Sequence, residues 1–192
     1  MTKKPFILLT TSRRPAKLMR TFCKDISHTF PNIVRINRGK LSLDGTAEKA
    51  LELGAEKVMI IERWKKGLGK IRFFTISEKG LDAVPPLIYI GGLKLQRDLR
   101  EKMPKGRRIK SLAVASSRNV LLEVRRIENV LSEFFNIPIL SSDEAVNRKC
   151  DVVMQISAER PNRIIITFML LPKLVEIGPQ IRISHLIWEL PQ

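Results

Sequence analysis

The sequence is poor in the residues that usually build metal centres and aromatic binding surfaces. Its 192 residues include two cysteines, two histidines, one tyrosine and two tryptophans. Cys23, Cys150, His28 and His185 show no paired ligand spacing, so we predict no metal and no other cofactor. We interpret the two cysteines as buried thiols in a reducing cytoplasm, and we expect the protein to be cytoplasmic. No apolar run approaches the roughly 20 residues that span a membrane, so no membrane partner is expected.

Motifs for catalysis are also missing. Gly67-Leu68-Gly69-Lys70 lies between two predicted strands, whereas a phosphate-binding loop needs a strand before it and a helix after it. Ser12 and Ser117 follow predicted strands, but neither lies in the G-x-S-x-G pattern of a nucleophile elbow. We therefore predict that the protein is not an enzyme and has no small-molecule substrate. A nucleotide site beyond the strand ends of a doubly wound fold stays open as an alternative.

An internal repeat is present instead. Residues 6–76 predict the element order β-α-β-α-β-β, and the same order returns from Leu112 onward. Thr11-Ser12-Arg13 follows the first strand, as Ser116-Ser117-Arg118 follows its counterpart, and an amphipathic helix comes next in both copies. Matching landmarks in the same order predict an internal duplication.

The predicted fold class is α/β, with two structurally similar halves, each a mixed β-sheet with packed helices. Residues 1–96 form the first half, 97–110 a basic connecting segment and 111–192 the second half. Ser12 is predicted to cap the first helix, and a further helix is predicted to begin near Leu93. The segments 87–92 and 174–190 are each predicted to add a strand to one of two sheets.

Positive charge is concentrated in one part of the chain. The 35 Lys and Arg residues against 19 Asp and Glu residues give a net charge of +16. Residues 1–110 hold 26 of the basic and 10 of the acidic side chains, while residues 111–192 hold nine of each. An imbalance of this size indicates a polyanionic partner, and three basic groups on one half favour a nucleic acid.

The side chains predicted to bind RNA form three groups. The first lies at the turn into the first helix and along it, the second at the end of the second strand and on a hairpin loop, and the third near or in the connecting segment. In that order they are Arg13, Arg14, Lys17, Arg20 and Lys24; Arg35, Arg38, Lys40, Lys65, Lys66 and Lys70; and Arg97, Arg100, Lys105, Arg107, Arg108 and Lys110. A phosphate at the start of the first helix would meet both arginines and free backbone N–H groups. Phe73 and Phe74 are considered as base-stacking residues, although alternation places at least one of them in the core.

Two segments resemble a known family. Leu8-Leu9-Thr10-Thr11-Ser12-Arg13-Arg14-Pro15 resembles the opening motif of Brix-domain proteins, the ribosome-biogenesis factors of eukaryotes and archaea. Glu176-Ile177-Gly178-Pro179-Gln180-Ile181-Arg182-Ile183 resembles their closing segment, usually an EIGPR-type sequence, with Gln180 in place of the customary arginine. In length the chain is similar to the short archaeal members.

This resemblance implies two halves that are each similar to the anticodon-binding domain of class II aminoacyl-tRNA synthetases. It also implies ribosomal RNA or precursor rRNA as the partner, together with other ribosome-assembly proteins, and a role in rRNA processing and subunit assembly. A protein-binding adaptor within a ribonucleoprotein is the alternative. Its apolar patch would come from Ile181, Ile183, Leu186, Ile187 and Trp188, unless these side chains complete the core of the second half.

Overall fold

The computed structural model describes residues 6–101, 104, 106–116, 121–159 and 163–190. The first half contains five strands and two helices: β1 Ile7–Thr11, α1 Lys17–Thr29, β2 Ile33–Arg35, α2 Leu43–Glu52, β3 Lys57–Glu62, β4 Gly69–Ser77 and β5 Gly80–Lys94. A single 3-10 turn, Gln96–Asp98, follows β5.

The second half has the same order with one additional short strand. Its elements are β6 Leu112–Ala115, α3 Leu122–Phe135, β7 Ile139–Leu140, α4 Ser142–Asn147, β8 Val152–Glu159, β9 Arg163–Leu170, β10 Val175–Glu176 and β11 Gln180–Ile187. The predicted order β-α-β-α-β-β is confirmed for both halves. Ser117 and Arg118, which the repeat aligns with Ser12 and Arg13, lie outside the described residues.

The two halves share one sheet. The described strands follow the order β2-β1-β3-β4-β5-β11-β9-β8-β6-β7, with β10 paired to β9. β1 is parallel to β2 and β3, β6 is parallel to β7 and β8, and the other pairs are antiparallel. The expectation of two separate sheets is wrong, because β5 pairs with β11 from Leu87 opposite Ile187 to Lys94 opposite Gln180. This pairing covers two long strand edges that would otherwise be exposed.

Two local predictions are also wrong. The backbone N–H of Ser12 donates to the carbonyl of Ile61 at 3.0 Å, so Ser12 extends the β1–β3 ladder and does not cap a helix. α1 begins at Lys17 instead, after its N-cap residue Ala16, whose backbone is extended (φ −65°, ψ 155°). No helix begins at Leu93, because that residue lies in β5 opposite Ile181.

One hydrophobic core spans both halves. α1 and α3 lie on the same face of the sheet, where Phe22, Ile26, Ile127 and Leu131 belong to a single buried cluster. α2 and α4 cover the opposite face at its two ends, each over a smaller cluster. At this scale of burial the apolar surface removed from water is the main stabilising contribution to the fold.

The last strand completes this core. Ile181 and Ile183 are buried in the shared cluster, and Leu186 and Trp188 pack against it, while Ile187 is half-buried. The interpretation as core is therefore confirmed for Ile181, Ile183, Leu186 and Trp188, whereas Ile187 belongs to none of the core clusters of the described residues.

Polar contacts tie each main helix to the other half. The Lys57 Nζ of β3 donates to the carbonyls of Glu133 and Phe134 at the end of α3, both at 2.9 Å. Burial lowers the pKa of Lys57, against the opposing effect of the Glu133 and Glu56 carboxylates. In the other direction, the Thr29 Oγ1 at the end of α1 donates to the carbonyl of Gly178 at 3.0 Å. A cation at a helix C-terminus stabilises its unpaired carbonyls.

Replacing Lys57 with methionine is therefore expected to lower the free energy of unfolding by about 1–2 kcal/mol, because two carbonyls at the end of α3 lose their donor. Urea denaturation followed by circular dichroism measures the change. Lys49→Met is the matched control, since Lys49 contacts Glu52 on an exposed helix face; it should cost less than about 0.5 kcal/mol. Equal losses in the two variants would contradict the role given to Lys57.

Candidate nucleic-acid interface

Three parallel strands of the first half end at one edge of the sheet. β1, β3 and β2 end at Thr11, Glu62 and Arg35, respectively. In open α/β sheets, ligands bind in the crevice beyond the carboxyl ends of such strands. At this edge a cavity of about 330 Å³ opens between the turn into α1 and the segment after β2. It is separate from a cavity of about 850 Å³ that lies beside the connecting segment. We call the smaller one the strand-end cavity; four of its lining residues are Arg13, Arg20, Arg35 and Arg38.

Two of these arginines are held by the same backbone oxygen. Arg38 Nε donates to the carbonyl of Leu41 at 2.8 Å, and Arg13 Nε donates to it at 3.3 Å. Arg38 Nη1 also lies 3.5 Å from the carbonyl of Thr11, and the residue is only 7% exposed. Burial lowers the pKa of Arg38, and the charge of Arg13 lowers it further, while Glu62 opposes both effects. Two guanidinium groups are thus fixed close together by neutral acceptors.

No ion pair within 4.0 Å compensates these charges in the described part of the chain. Glu62, the acidic side chain that affects Arg38, is itself bound to Lys70 at 3.0 Å and to Arg72 at 3.5 Å. Of the four arginines only Arg38 is buried. A buried cation without a carboxylate partner favours an anionic ligand, and arginine forks bind phosphate in bidentate geometry.

α1 supplies the third side of the cavity. Arg20 and Arg35 are exposed at its rim, and the buried Cys23 lies between them and the core. Burial raises the pKa of the Cys23 thiol to about 12, although Arg35 acts in the opposite direction. Cys23 is therefore a neutral thiol at any physiological pH. Ala16 offers no side-chain cap to α1, and the first turn contains no acidic residue, so its N–H groups keep their preference for an anion.

The second half differs at the matching position. The same spacing of 105 residues separates Ile7 from Leu112, Arg20 from Arg125 and Cys23 from Glu128. Glu128 is fully buried, and its Oε2 lies 3.8 Å from Arg125 Nη1. A carboxylate thus lies beside the arginine of α3, where α1 has a neutral thiol. Aligning the two repeats could have revealed this exchange, which inspection of the basic residues alone missed.

The other predicted residues of the first two groups lie around this region with different environments. Arg14, Lys17, Lys24, Lys40, Lys65 and Lys66 are exposed. Lys70 was expected on the hairpin loop, but it lies in β4, half-buried and paired with Glu62. Phe73 and Phe74 are both buried, at 3% and 1% exposure, so neither is available for base stacking.

The third group lies along the connecting segment. Arg97, Arg100, Arg107, Arg108 and Lys110 are exposed, and Lys105 lies outside the described residues. The cavity of about 850 Å³ lies between this segment and the end of α1, and Arg97, Arg107, Arg108 and His28 line it. Arg97 is 3.7 Å from the carboxylate of Asp98, so its charge is partly compensated.

Asp151 anchors the connecting segment to the start of β8. Its Oδ2 accepts the backbone N–H of Lys110 at 2.7 Å and that of Ser111 at 3.2 Å, and Arg107 Nη2 lies 3.4 Å from Oδ1. Burial alone would raise the pKa of Asp151, but the two N–H groups and Arg107 outweigh it and lower the pKa below its usual value.

We expect Asp151→Ala to lower the free energy of unfolding at pH 7 by about 1–3 kcal/mol, since the backbone N–H groups of Lys110 and Ser111 lose a charged acceptor. The carboxylate titrates at a lower pH in the folded chain than in the unfolded chain. Its contribution is therefore complete above the ordinary aspartate pKa of about 3.9 and declines as the pH falls towards the folded value. Urea unfolding over this pH range tests the effect, with the exposed Asp82→Ala as control. A difference between variant and wild type that grows on acidification would contradict it.

Within the described ranges, no helix is long and apolar enough to cross a bilayer. No group of three or more His, Cys, Asp or Glu side chains there is placed to hold a metal ion.

Comparison with known proteins identifies relatives in archaea. No family model matches the chain. A probable Brix domain-containing ribosomal biogenesis protein of Pyrococcus abyssi is 28% identical over 201 aligned positions, which cover 95% of this chain and 85% of that protein. The protein of the same name from Pyrococcus horikoshii matches equally. The one from Thermococcus kodakarensis is 33% identical over 106 positions, so the match spans half of that relative's length and 51% of this chain.

Solved structures share the fold. The crystal structure of a probable ribosomal biogenesis protein from Aeropyrum pernix K1 superposes with a TM-score of 0.77 and 22% identity, over 95% of this chain and 99% of that one. Mil, an archaeal Imp4-like protein, superposes with a TM-score of 0.65 and 19% identity over the same shares. The large mixed sheet with its packed helices is therefore the fold of these proteins.

Proposed function

We propose that the chain, which is similar over 95% of its length to archaeal Brix domain-containing ribosomal biogenesis proteins, binds ribosomal RNA or precursor rRNA during processing and subunit assembly. The observation that carries the proposal is the strand-end cavity, where Arg13, Arg20, Arg35 and Arg38 meet with no carboxylate partner among the described residues. RNA offers a chain of phosphates to such a site, and phosphate contacts supply most of the affinity of nucleic-acid binding.

The surroundings of the cavity support a backbone ligand over a small one. Lys17, Lys24 and Lys40 are exposed on neighbouring segments, so positive charge continues beyond the cavity. A single small anion would bind in the cavity and leave these side chains without a partner, whereas a polynucleotide reaches both. We propose that the exposed arginines of the connecting segment extend the same contact.

The two halves have different roles in this proposal. The phosphate contacts proposed here lie on residues 1–96 and on the connecting segment 97–110, and residues 111–192 scaffold the sheet or dock other assembly proteins. The equal element order of the halves supports their origin in an internal duplication, with each half similar to the anticodon-binding domain of class II aminoacyl-tRNA synthetases.

We propose that this role is non-enzymatic. Cys23, the potential nucleophile at the strand-end cavity, is held as a neutral thiol, and the thiolate is the reactive form. We place the protein in the cytoplasm, where the free thiols Cys23 and Cys150 would stay reduced.

The proposal predicts that Arg20→Ala combined with Arg35→Ala weakens binding to a structured rRNA fragment. At about 0.1 M salt the loss should reach roughly tenfold, and the slope of log affinity against log salt should fall by about 1 for each phosphate contact removed. Fluorescence anisotropy with a labelled fragment over a salt series measures both quantities.

Arg148→Ala combined with Arg163→Ala is the matched control, because both arginines are exposed on the neutral second half. This variant should bind like the wild type. Equal losses of affinity in the two double variants would show that RNA does not bind at the strand-end cavity. An affinity that does not depend on salt would refute a phosphate-based contact altogether.

A further inference from the structure

Three rings meet on the face of the sheet opposite α1 and α3. Ile88 and Ile90 of β5 face the shared core, so Tyr89 between them points to the other face. His185 of β11 is its cross-strand partner. The two rings are stacked, with centroids 4.1 Å apart and planes 13° from parallel. Trp64 stands edge-on to both, at 4.7 Å from Tyr89 and 5.4 Å from His185. We call these three residues the ring cluster.

Hydrogen bonds and close packing fix the orientation of these rings. Ser184 Oγ donates to the carbonyl of Tyr89 at 3.2 Å. Since its one proton is used there, the same oxygen accepts from Nδ1 of His185 at 3.0 Å. Gly67 packs directly on Trp64, since a Cβ at that position would lie 2.2 Å from Trp64 Cε3. A larger residue at position 67 would force Trp64 to move, so the glycine permits the observed arrangement of the rings. Such preorganisation lowers the entropy lost on binding.

The ring cluster is accessible from solvent. His185 is exposed, and Tyr89 and Trp64 are half-buried. Because one face of the His185 ring covers Tyr89, a further ring can stack only on its other face. Rings that pack in the core are far less exposed: Phe30 and Phe135, which contact each other on the opposite face of the sheet, are both less than 5% exposed.

Basic side chains adjoin the cluster. Lys65 and Lys66 are exposed on the loop that holds Trp64 against Gly67, and Arg182 is exposed on the strand that carries His185. Lys70 lies directly across from Tyr89, although Glu62 partly offsets its charge. A flat ring surface beside a positive loop complements a nucleotide, which has a flat base and a negative phosphate.

We propose that the ring cluster is a stacking site for the unpaired bases of single-stranded RNA, with Lys65 and Lys66 contacting the adjoining phosphates. This inference rests on the proposed function and specifies the form of RNA that is bound. Bases in a duplex are already stacked on their neighbours, whereas an unpaired base can extend the Tyr89–His185 stack on the outer face of His185.

The test uses the full chain carrying Trp188→Phe, which leaves Trp64 as its one tryptophan. The probes are an unstructured oligoadenylate and an abasic oligonucleotide of the same length and charge. We expect the oligoadenylate to quench Trp64 fluorescence and to bind at least about fivefold more tightly than the abasic probe, because stacking on an aromatic side chain favours each base. In the same background, His185→Ala should remove most of this difference and His185→Phe should retain it.

The possible failures are distinguishable. Equal affinities for the two probes, or a His185→Ala variant that keeps the preference, would overturn the stacking site while salt-dependent RNA binding could still stand. Binding of a structured rRNA fragment without any binding of oligoadenylate would overturn the stacking site alone. Failure to bind any RNA would overturn both proposals. Since His185 is exposed, unfolding curves of its variants should match the parent, which excludes a folding defect as the cause.

Discussion

The antiparallel pairing of β5 with β11 holds the rest of the molecule in place. Each strand is the last long strand of its half, and their ladder runs from Leu87 opposite Ile187 to Lys94 opposite Gln180. It merges two half-sheets into one, so α1 and α3 can share a core on one face. On the other face it brings Tyr89 beside His185. The edges that remain, β2 and β7, are only three and two residues long, which limits pairing with other chains.

A common scaffold carries different electrostatics in its two halves. The strand-to-helix turn of the first half presents arginines over the neutral thiol of Cys23, whereas α3 places the buried Glu128 beside Arg125. One exchange at a matched position therefore changes whether a guanidinium faces a carboxylate. The buried hydrophobic pattern of the two helices is similar all the same.

Much of the fold was predictable, because short-range patterns determine it. The buried stripes of α1 and α3 and the element order follow from local periodicity, and the arginines of the strand-end cavity were among the predicted residues. Long-range pairing was not predictable: no local signal shows that β5 joins β11, so neither the single sheet nor the ring cluster was expected. Ser12 was predicted to cap a helix because its side chain suits that role, but its backbone N–H donates to the carbonyl of Ile61 in the sheet.

The central claim is that RNA lies against the strand-end cavity of the first half. Ultraviolet crosslinking of the protein to RNA in cell extract, followed by mass spectrometry of the crosslinked peptides, tests it most directly. The account predicts adducts on the peptides around Thr11 to Arg20 and around Arg35 to Lys40, with none on the matching segments of the second half near Ser116 and Leu140. Adducts concentrated on those second-half segments, with the first half unmodified, would contradict it.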